Sequence, residues 1–175
     1  DRLRIQYGTS FGYPVSSMGS HVSAVPNHQT GRITPMNTRG VVAMAGTFGY
    51  ELNLGQLTNP EREEVRRQIK TFRSYEQLIR QGNYFRLSNP FEDALVAWEF
   101  VSKDRREVLM SAVAQEIHGY MVTPYVKFRG LMSGKLYQDQ ETGKIYPADA
   151  LMDMGIPVPP AREEYAAVQM HLKMI

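Results

Sequence analysis

An α/β unit followed by an all-β unit is the fold class that this sequence predicts, on two observations. Up to Gly82 the chain alternates strand, helix, strand, helix, the mark of parallel βα units. From Asn83 onward it breaks into short apolar segments at regular spacing, separated by turn residues, as in an antiparallel β-sandwich. The boundary near Gly82 gives one domain over 1–82 and a second over 83–175.

The elements follow in order. Asp1 to Tyr7 reads as a helix already under way, with Leu3 and Tyr7 four apart on one face and Gly8-Thr9-Ser10 as its stop. A domain rarely begins inside a helix, so the chain is expected to be part of a longer one. Met18, Val22 and Ala24 recur at even spacing for a buried strand, which ends in Pro26-Asn27-His28-Gln29, a cluster of hydrogen-bonding side chains on a loop. Thr34-Pro35 is a helix entry, with threonine as cap and proline in the first position, and Gly46 is the stop. Thr47 to Leu52 is the second strand.

The clearest helix follows. Asn59 is read as its cap and Pro60 as its first residue, with Glu61, Glu63 and Glu64 at the end that the helix dipole favours for acids. Val65, Ile69, Phe72, Leu78 and Ile79 make its apolar stripe, and Gly82 ends it. Arg66, Arg67, Lys70 and Arg73 are read as a solvated face balanced by the glutamates.

In the second half, strands are expected over Tyr84–Leu87, Ala94–Val101, Glu107–Ala114, Pro124–Arg129, Lys135–Tyr137 and Ala166–Lys173. Ala94–Val101 also suits a helix, but Trp98, Phe100 and Val101 favour a strand, with Trp98 in the core. Ala148–Met154 is a short helix, and Ile156-Pro157-Val158-Pro159-Pro160 an extended surface connector.

Composition limits the function. A net charge of +2 over 175 residues gives no case for nucleic acid or a membrane surface as partner. With no cysteine there is no disulfide, thiolate zinc site or cysteine nucleophile. His21, His28, His118 and His171 have no metal-ligand spacing, so no metal is expected. Gly46-Thr47-Phe48-Gly49 lacks the ending of a phosphate loop, and no cofactor is expected. Ser20 and Ser23 beside His21 form no nucleophile elbow. The expected setting is cytoplasmic.

Five motifs now stand in order: Ile5-Gln6-Tyr7-Gly8-Thr9-Ser10, Ser17-Met18-Gly19-Ser20-His21-Val22-Ser23, Pro26-Asn27-His28-Gln29-Thr30-Gly31-Arg32, Thr38-Arg39-Gly40, and Gly46-Thr47-Phe48-Gly49-Tyr50-Glu51-Leu52. Together they resemble the bacterial α-galactosidases of glycoside hydrolase family 36, with a looser match through Asn83–Leu87, Pro90-Phe91 and Ala97-Trp98. The resemblance implies a longer parent in which this chain supplies the last βα units of a (β/α)8 barrel, with strands seven and eight, and then a C-terminal antiparallel β-sandwich.

It further implies a retaining glycosidase acting on melibiose- or raffinose-like galactosides through two aspartates. Both lie upstream of residue 1, so no residue here is a catalytic candidate. Asp1 corresponds to an acidic position several residues after the acid/base and is expected to be a helix-start acid. His21, Asn27 and His28 are the substrate-binding candidates, beside the alternatives of a core histidine and a structural loop. The chain alone is expected to be inactive, and the parent a homo-oligomer. The other reading is a non-catalytic carbohydrate-binding or oligomerisation module built on the sandwich.

Overall fold

The computed structural model describes residues 1–117, 123–158 and 164–175. In chain order these form α1 (Arg2–Thr9), β1 (Val22–Ser23), α2 (Met36–Ala43), β2 (Tyr50–Glu51), α3 (Asn59–Gln81) and β3 (Asn83–Arg86). Next come β4 (Leu95–Val101), β5 (Glu107–Ala114), β6 (Tyr125–Val126), β7 (Leu136–Asp139) and β8 (Ile145–Pro147). The chain ends with α4 (Ala148–Asp153), β9 (Ile156–Pro157) and β10 (Ala167–Met174). His118 lies outside the described residues, as do Pro159 and Pro160 of the expected connector.

The second half is one antiparallel sheet of six strands in the order β3-β4-β5-β10-β7-β8. Its central strands are buried on both faces, so alternate side chains enter two different cores. Val96, Trp98, Phe100, Leu109 and Val113 join Phe72, Leu78 and Ile79 of α3 and Val41 of α2 on one side. Ala97, Val101, Val108, Met110 and Leu172 point the other way, toward Val126, Phe128, Leu151 and Val158. Trp98 is therefore core, as its strand pattern predicts, and it sits where the helices of the first half meet the sheet.

Short polar links fix the same contact. Gln6 on α1 donates to the Tyr84 hydroxyl at 3.0 Å, and Arg86 on β3 donates to the Ser10 carbonyl at 3.1 Å. Thr38 on α2 donates to the Tyr165 carbonyl. The buried Gln68 of α3 donates to Met36 O at 3.0 Å and accepts from the Tyr50 hydroxyl at 2.9 Å, so one side chain joins α3, α2 and β2. This close approach needs Gly40, where a Cβ would stand 2.4 Å from the Gln68 amide carbon.

Three local expectations are corrected. The cap of α3 is Thr58, not Asn59: its hydroxyl accepts from Glu61 N while the Glu61 carboxylate accepts from Thr58 N at 2.8 Å, a capping box that Asn59 cannot form. Thr58→Ala should therefore lower stability by about 1 kcal/mol in a thermal or urea titration, whereas Asn59→Ala should leave it within about 0.5 kcal/mol.

The cap of α2 is Pro35 and no side chain caps it; the Thr34 carbonyl instead accepts from Arg39 Nε at 3.0 Å. Lastly, Ile156–Pro157 is not a surface connector. It pairs antiparallel with β6, Tyr125 opposite Pro157 and Val126 opposite Ile156, and Val158 is buried. Proline is tolerated because the following Val158 N donates instead, to Pro124 O at 2.9 Å. The return into this strand uses Gly155 at φ +78°, with Val126 O only 2.5 Å from where a Cβ would be.

Other expectations agree with the structure. The segment expected over Ala94–Val101 is strand rather than helix, beginning at Leu95, and β5 has the expected bounds. Arg66 and Arg67 of α3 pair with Glu63 and Glu64 of the same helix, in agreement with the glutamate-balanced face read from sequence, and Arg80 further along pairs with Glu76.

Candidate functional site

The first half places two strands side by side in parallel, β1 and β2, with Val22 opposite Tyr50 and Ser23 opposite Glu51. A parallel pair needs a crossover, and α2 lies between the two in the chain. Val22 is fully buried, and the Tyr50 hydroxyl reaches Gln68 of α3, so these two face the helices. Burial and the nearby Glu64 push the Tyr50 hydroxyl up to about 12. By the two-residue period of a strand, His21, Ser23 and Glu51 point to the opposite face.

That face carries charge. His21 Nε2 meets the Glu51 carboxylate, and the Arg2 guanidinium on α1 lies 3.3 Å from His21 Nδ1 and 2.6 Å from Nε2. Arg2 also donates to Gly19 O at 3.4 Å. The His21 side chain is 32% exposed and that of Glu51 74%, so water screens the group on its open side. Behind the strand, Arg39 of α2 donates to Ser23 O at 2.5 Å. Burial holds its guanidinium below the ordinary arginine range, with Glu61 acting the other way.

Asn27 and His28 lie on the loop that leaves β1. The Asn27 side-chain oxygen accepts from Gln29 N and Thr30 N, both at 3.0 Å, and from the Thr30 hydroxyl at 3.1 Å. Asn27 N donates to Arg32 O at 2.9 Å, and Gly31 N to Asn27 O at 2.8 Å. These bonds close the loop on itself and leave only the Asn27 amide nitrogen to reach outward. His28 is exposed within that loop. Among the described residues no hydrogen bond joins His21 to Asn27 or His28; the structure instead groups His21 with Arg2 and Glu51.

The remaining sequence candidates take structural places. Asp1 is the N-cap residue of α1 and makes no side-chain cap bond. Asp139 accepts from Glu141 N at 3.1 Å and from the Thr142 hydroxyl at 2.5 Å, which shapes the β7–β8 turn. His171 on β10 bonds Glu107 on β5 at 2.7 Å. Among the described residues no group of three or more His, Asp or Glu side chains is arranged to hold a metal ion. Among the described residues no helix is long and apolar enough to cross a membrane.

Comparison with known proteins places this geometry. Residues 1–82 match the Melibiase family model, and residues 95–172 match the glycosyl hydrolase family 36 C-terminal domain. The bifunctional α-galactosidase/sucrose kinase AgaSK of Mediterraneibacter gnavus is 54% identical over 97% of this chain and 18% of its own length. The solved galactosidase domain of an AgaSK superposes with a TM-score of 0.97 over 99% of this chain and 24% of that one, at 52% identity. The α-galactosidase AgaA of Geobacillus stearothermophilus is 40% identical over 99% of this chain and 24% of its own length.

The AgaA structure superposes with a TM-score of 0.96, and variants of it have been solved with raffinose and with stachyose. The chain thus spans roughly a fifth to a quarter of the curated relatives it matches. With one family model over its first half, the other over its second, and relatives that match nearly the whole of this chain, the chain belongs to glycosyl hydrolase family 36.

Proposed function

We propose that this chain is the C-terminal portion of an α-galactosidase that releases terminal α-linked galactose from raffinose-like oligosaccharides. The observation that carries the reading is the superposition of nearly all of this chain on a quarter of AgaA, variants of which were solved with raffinose and with stachyose. In this reading β1 and β2 are strands seven and eight of a closed (β/α)8 barrel, residues 1–82 end the barrel, and residues 83–175 form the β-sandwich. The parallel pairing of β1 with β2 supports the barrel, and the antiparallel sheet facing the small β6–β9 layer supports the sandwich.

The chain then contributes one wall of the substrate site, with His21, Asn27 and His28 toward the sugar, and no reacting carboxylate. Closure of the barrel removes the strand edges that β1 and β2 leave unpaired here. The working protein is a homo-oligomer in the cytoplasm.

The test is an assay with an aryl α-galactoside. The full-length protein should hydrolyse it, and the 175-residue chain alone should show no rate above background. Turnover by the isolated chain at an enzyme-like rate would put the reacting carboxylates inside it and defeat this assignment. An inactive full-length protein would defeat the glycosidase reading itself.

A further inference from the structure

The loop between β1 and α2 carries Asn27 and His28, and apolar packing does little to hold it. Residues 24–33 are all exposed or half-buried. At its tip Asn27 N bonds Arg32 O, and the Asn27 side chain caps the turn between them. That order is local, and a closed tip still swings as one body on its two stems. What fixes the tip against the strands must act below it, where the chain leaves β1 and where it enters α2.

Arg39 acts at both places. From the first turn of α2 its Nη1 donates to the carbonyl of Ser23, the last residue of β1, at 2.5 Å, and its Nε donates to Thr34 O, just ahead of α2, at 3.0 Å. A guanidinium presents its N–H groups in a rigid planar fork, so bonding both carbonyls sets their separation. One side chain thereby joins the two ends of the loop. Both bonds are charge-assisted, and the half-buried setting of Arg39 screens them less than open water would.

Two other contacts reach the loop. Ala24 N donates to Glu51 O at 3.3 Å, and the Arg32 guanidinium lies 5.0 Å over the Tyr165 ring. The first ties one stem to β2 and the second ties the tip to the second half of the chain, but neither joins stem to stem. The residues beside Arg39 anchor α2 itself: Thr38 bonds the Tyr165 carbonyl, and Gly40 gives room to Gln68. The fork therefore stands on a fixed base.

We propose that Arg39 is a positioning residue of the glycosidase site, clamping the two ends of the loop that presents Asn27 and His28 to the sugar. The proposal rests on the α-galactosidase reading above, in which this loop leaves the end of a barrel strand on which such sites are built. A loop held at both ends loses little further freedom when sugar binds, so its contacts count fully toward affinity.

The experiment uses the full-length protein and an aryl α-galactoside. Arg39→Met keeps an unbranched stem and removes every donor. It should raise KM about tenfold and leave kcat within about threefold of wild type, because the loosened contacts hold the sugar alike before and during reaction. Arg39→Lys keeps the charge but offers one nitrogen for two carbonyls, and should raise KM about threefold. Hydrogen exchange on the same proteins gives a second readout: protection of the Asn27 and Gly31 amides should fall about tenfold in Arg39→Met, with the α3 amides unchanged. Should the methionine variant not fold, the lysine variant takes its place in both measurements.

An unchanged KM overturns the proposal, and so does a loss of kcat with KM intact. Equal loss of protection in the loop and in α3 would mean general destabilisation and overturns it as well. A wild-type protein without galactosidase activity defeats the parent reading instead, and exchange then decides the clamp alone: a loop as well protected without Arg39 as with it overturns the clamp.

Discussion

Replacing Glu99 by glutamine should stabilise the protein at alkaline pH and leave it nearly unchanged near pH 5. Glu99 is wholly buried on β4, on the face shared with Ala97 and Val101. One carboxylate oxygen accepts from Arg129 N at 2.6 Å, and the other has no hydrogen-bond partner among the described residues. Burial disfavours the charged form and pushes the carboxyl up to about 8, against the smaller opposing effects of the Arg129 amide and guanidinium.

The sign follows from proton binding. In the unfolded chain the group ionises near the ordinary glutamate value, while the folded chain keeps its proton to about pH 8. Between those values the folded state binds more protons, so stability is full below the lower one and falls as pH rises through the window. Glutamine mimics the protonated carboxyl and removes this slope. At about pH 9 the variant should be more stable by on the order of 3 kcal/mol in urea unfolding, and near pH 5 the two should agree within about 1 kcal/mol. Parallel stability curves over the whole range would mean that Glu99 is ionised and accommodated in the fold.

Where the sequence succeeded, a local pattern was enough. The bounds of β5 follow from an apolar run between charged turns, and α3 follows from its stripe and its acidic start. Where it failed, the deciding partner was distant or the competing residue was an equally good candidate. Asn59 and Thr58 are both capping residues, and only the carboxylate of Glu61, three residues beyond Thr58, selects between them. Ile156–Pro157 has the composition of a loop and becomes a strand because β6, about thirty residues earlier, offers an edge whose bonds do not need the missing proline N–H.

The candidate site divides in the same way. His21, Asn27 and His28 stand out locally because polar side chains cluster around a strand end. Arg2 and Glu51 do not, since nothing near either in sequence marks it. Their meeting with His21 depends on the register that sets Ser23 opposite Glu51, and a shift of one residue would turn Glu51 toward α3. The alternation of Val22 against His21 and Ser23 held the only sequence clue to which side chains would share a face.

Trp98→Ala should cost about 3–5 kcal/mol and should destabilise the helices together with the sheet. Its side chain is 2% exposed and lies in a cluster drawn from both halves of the chain: Phe72 and Ile79 of α3, Val41 of α2, and Leu109 of β5. Among the described residues of this chain, the helices of the first half pack on the six-stranded sheet, and β1 and β2 pair over only two residues each. A two-residue pair cannot supply the buried area that a separate domain needs. One buried cluster therefore runs through residues on both sides of Gly82.

The consequence is measurable by hydrogen exchange in wild type and variant. Loss of the indole should lower protection in α3 and in β4 by similar free energies, since both depend on the same packed layer. A variant in which β4 and β5 lose protection while α3 keeps it would show that residues 1–82 fold as an independent unit. In that case the polar links from Gln6 to Tyr84 and from Thr38 to the Tyr165 carbonyl would be contacts between finished domains, and truncation at Gly82 should yield a folded N-terminal half. A shared core predicts the opposite result: residues 1–82 alone should show no cooperative unfolding transition, because the apolar stripe of α3 has lost the face against which it is buried.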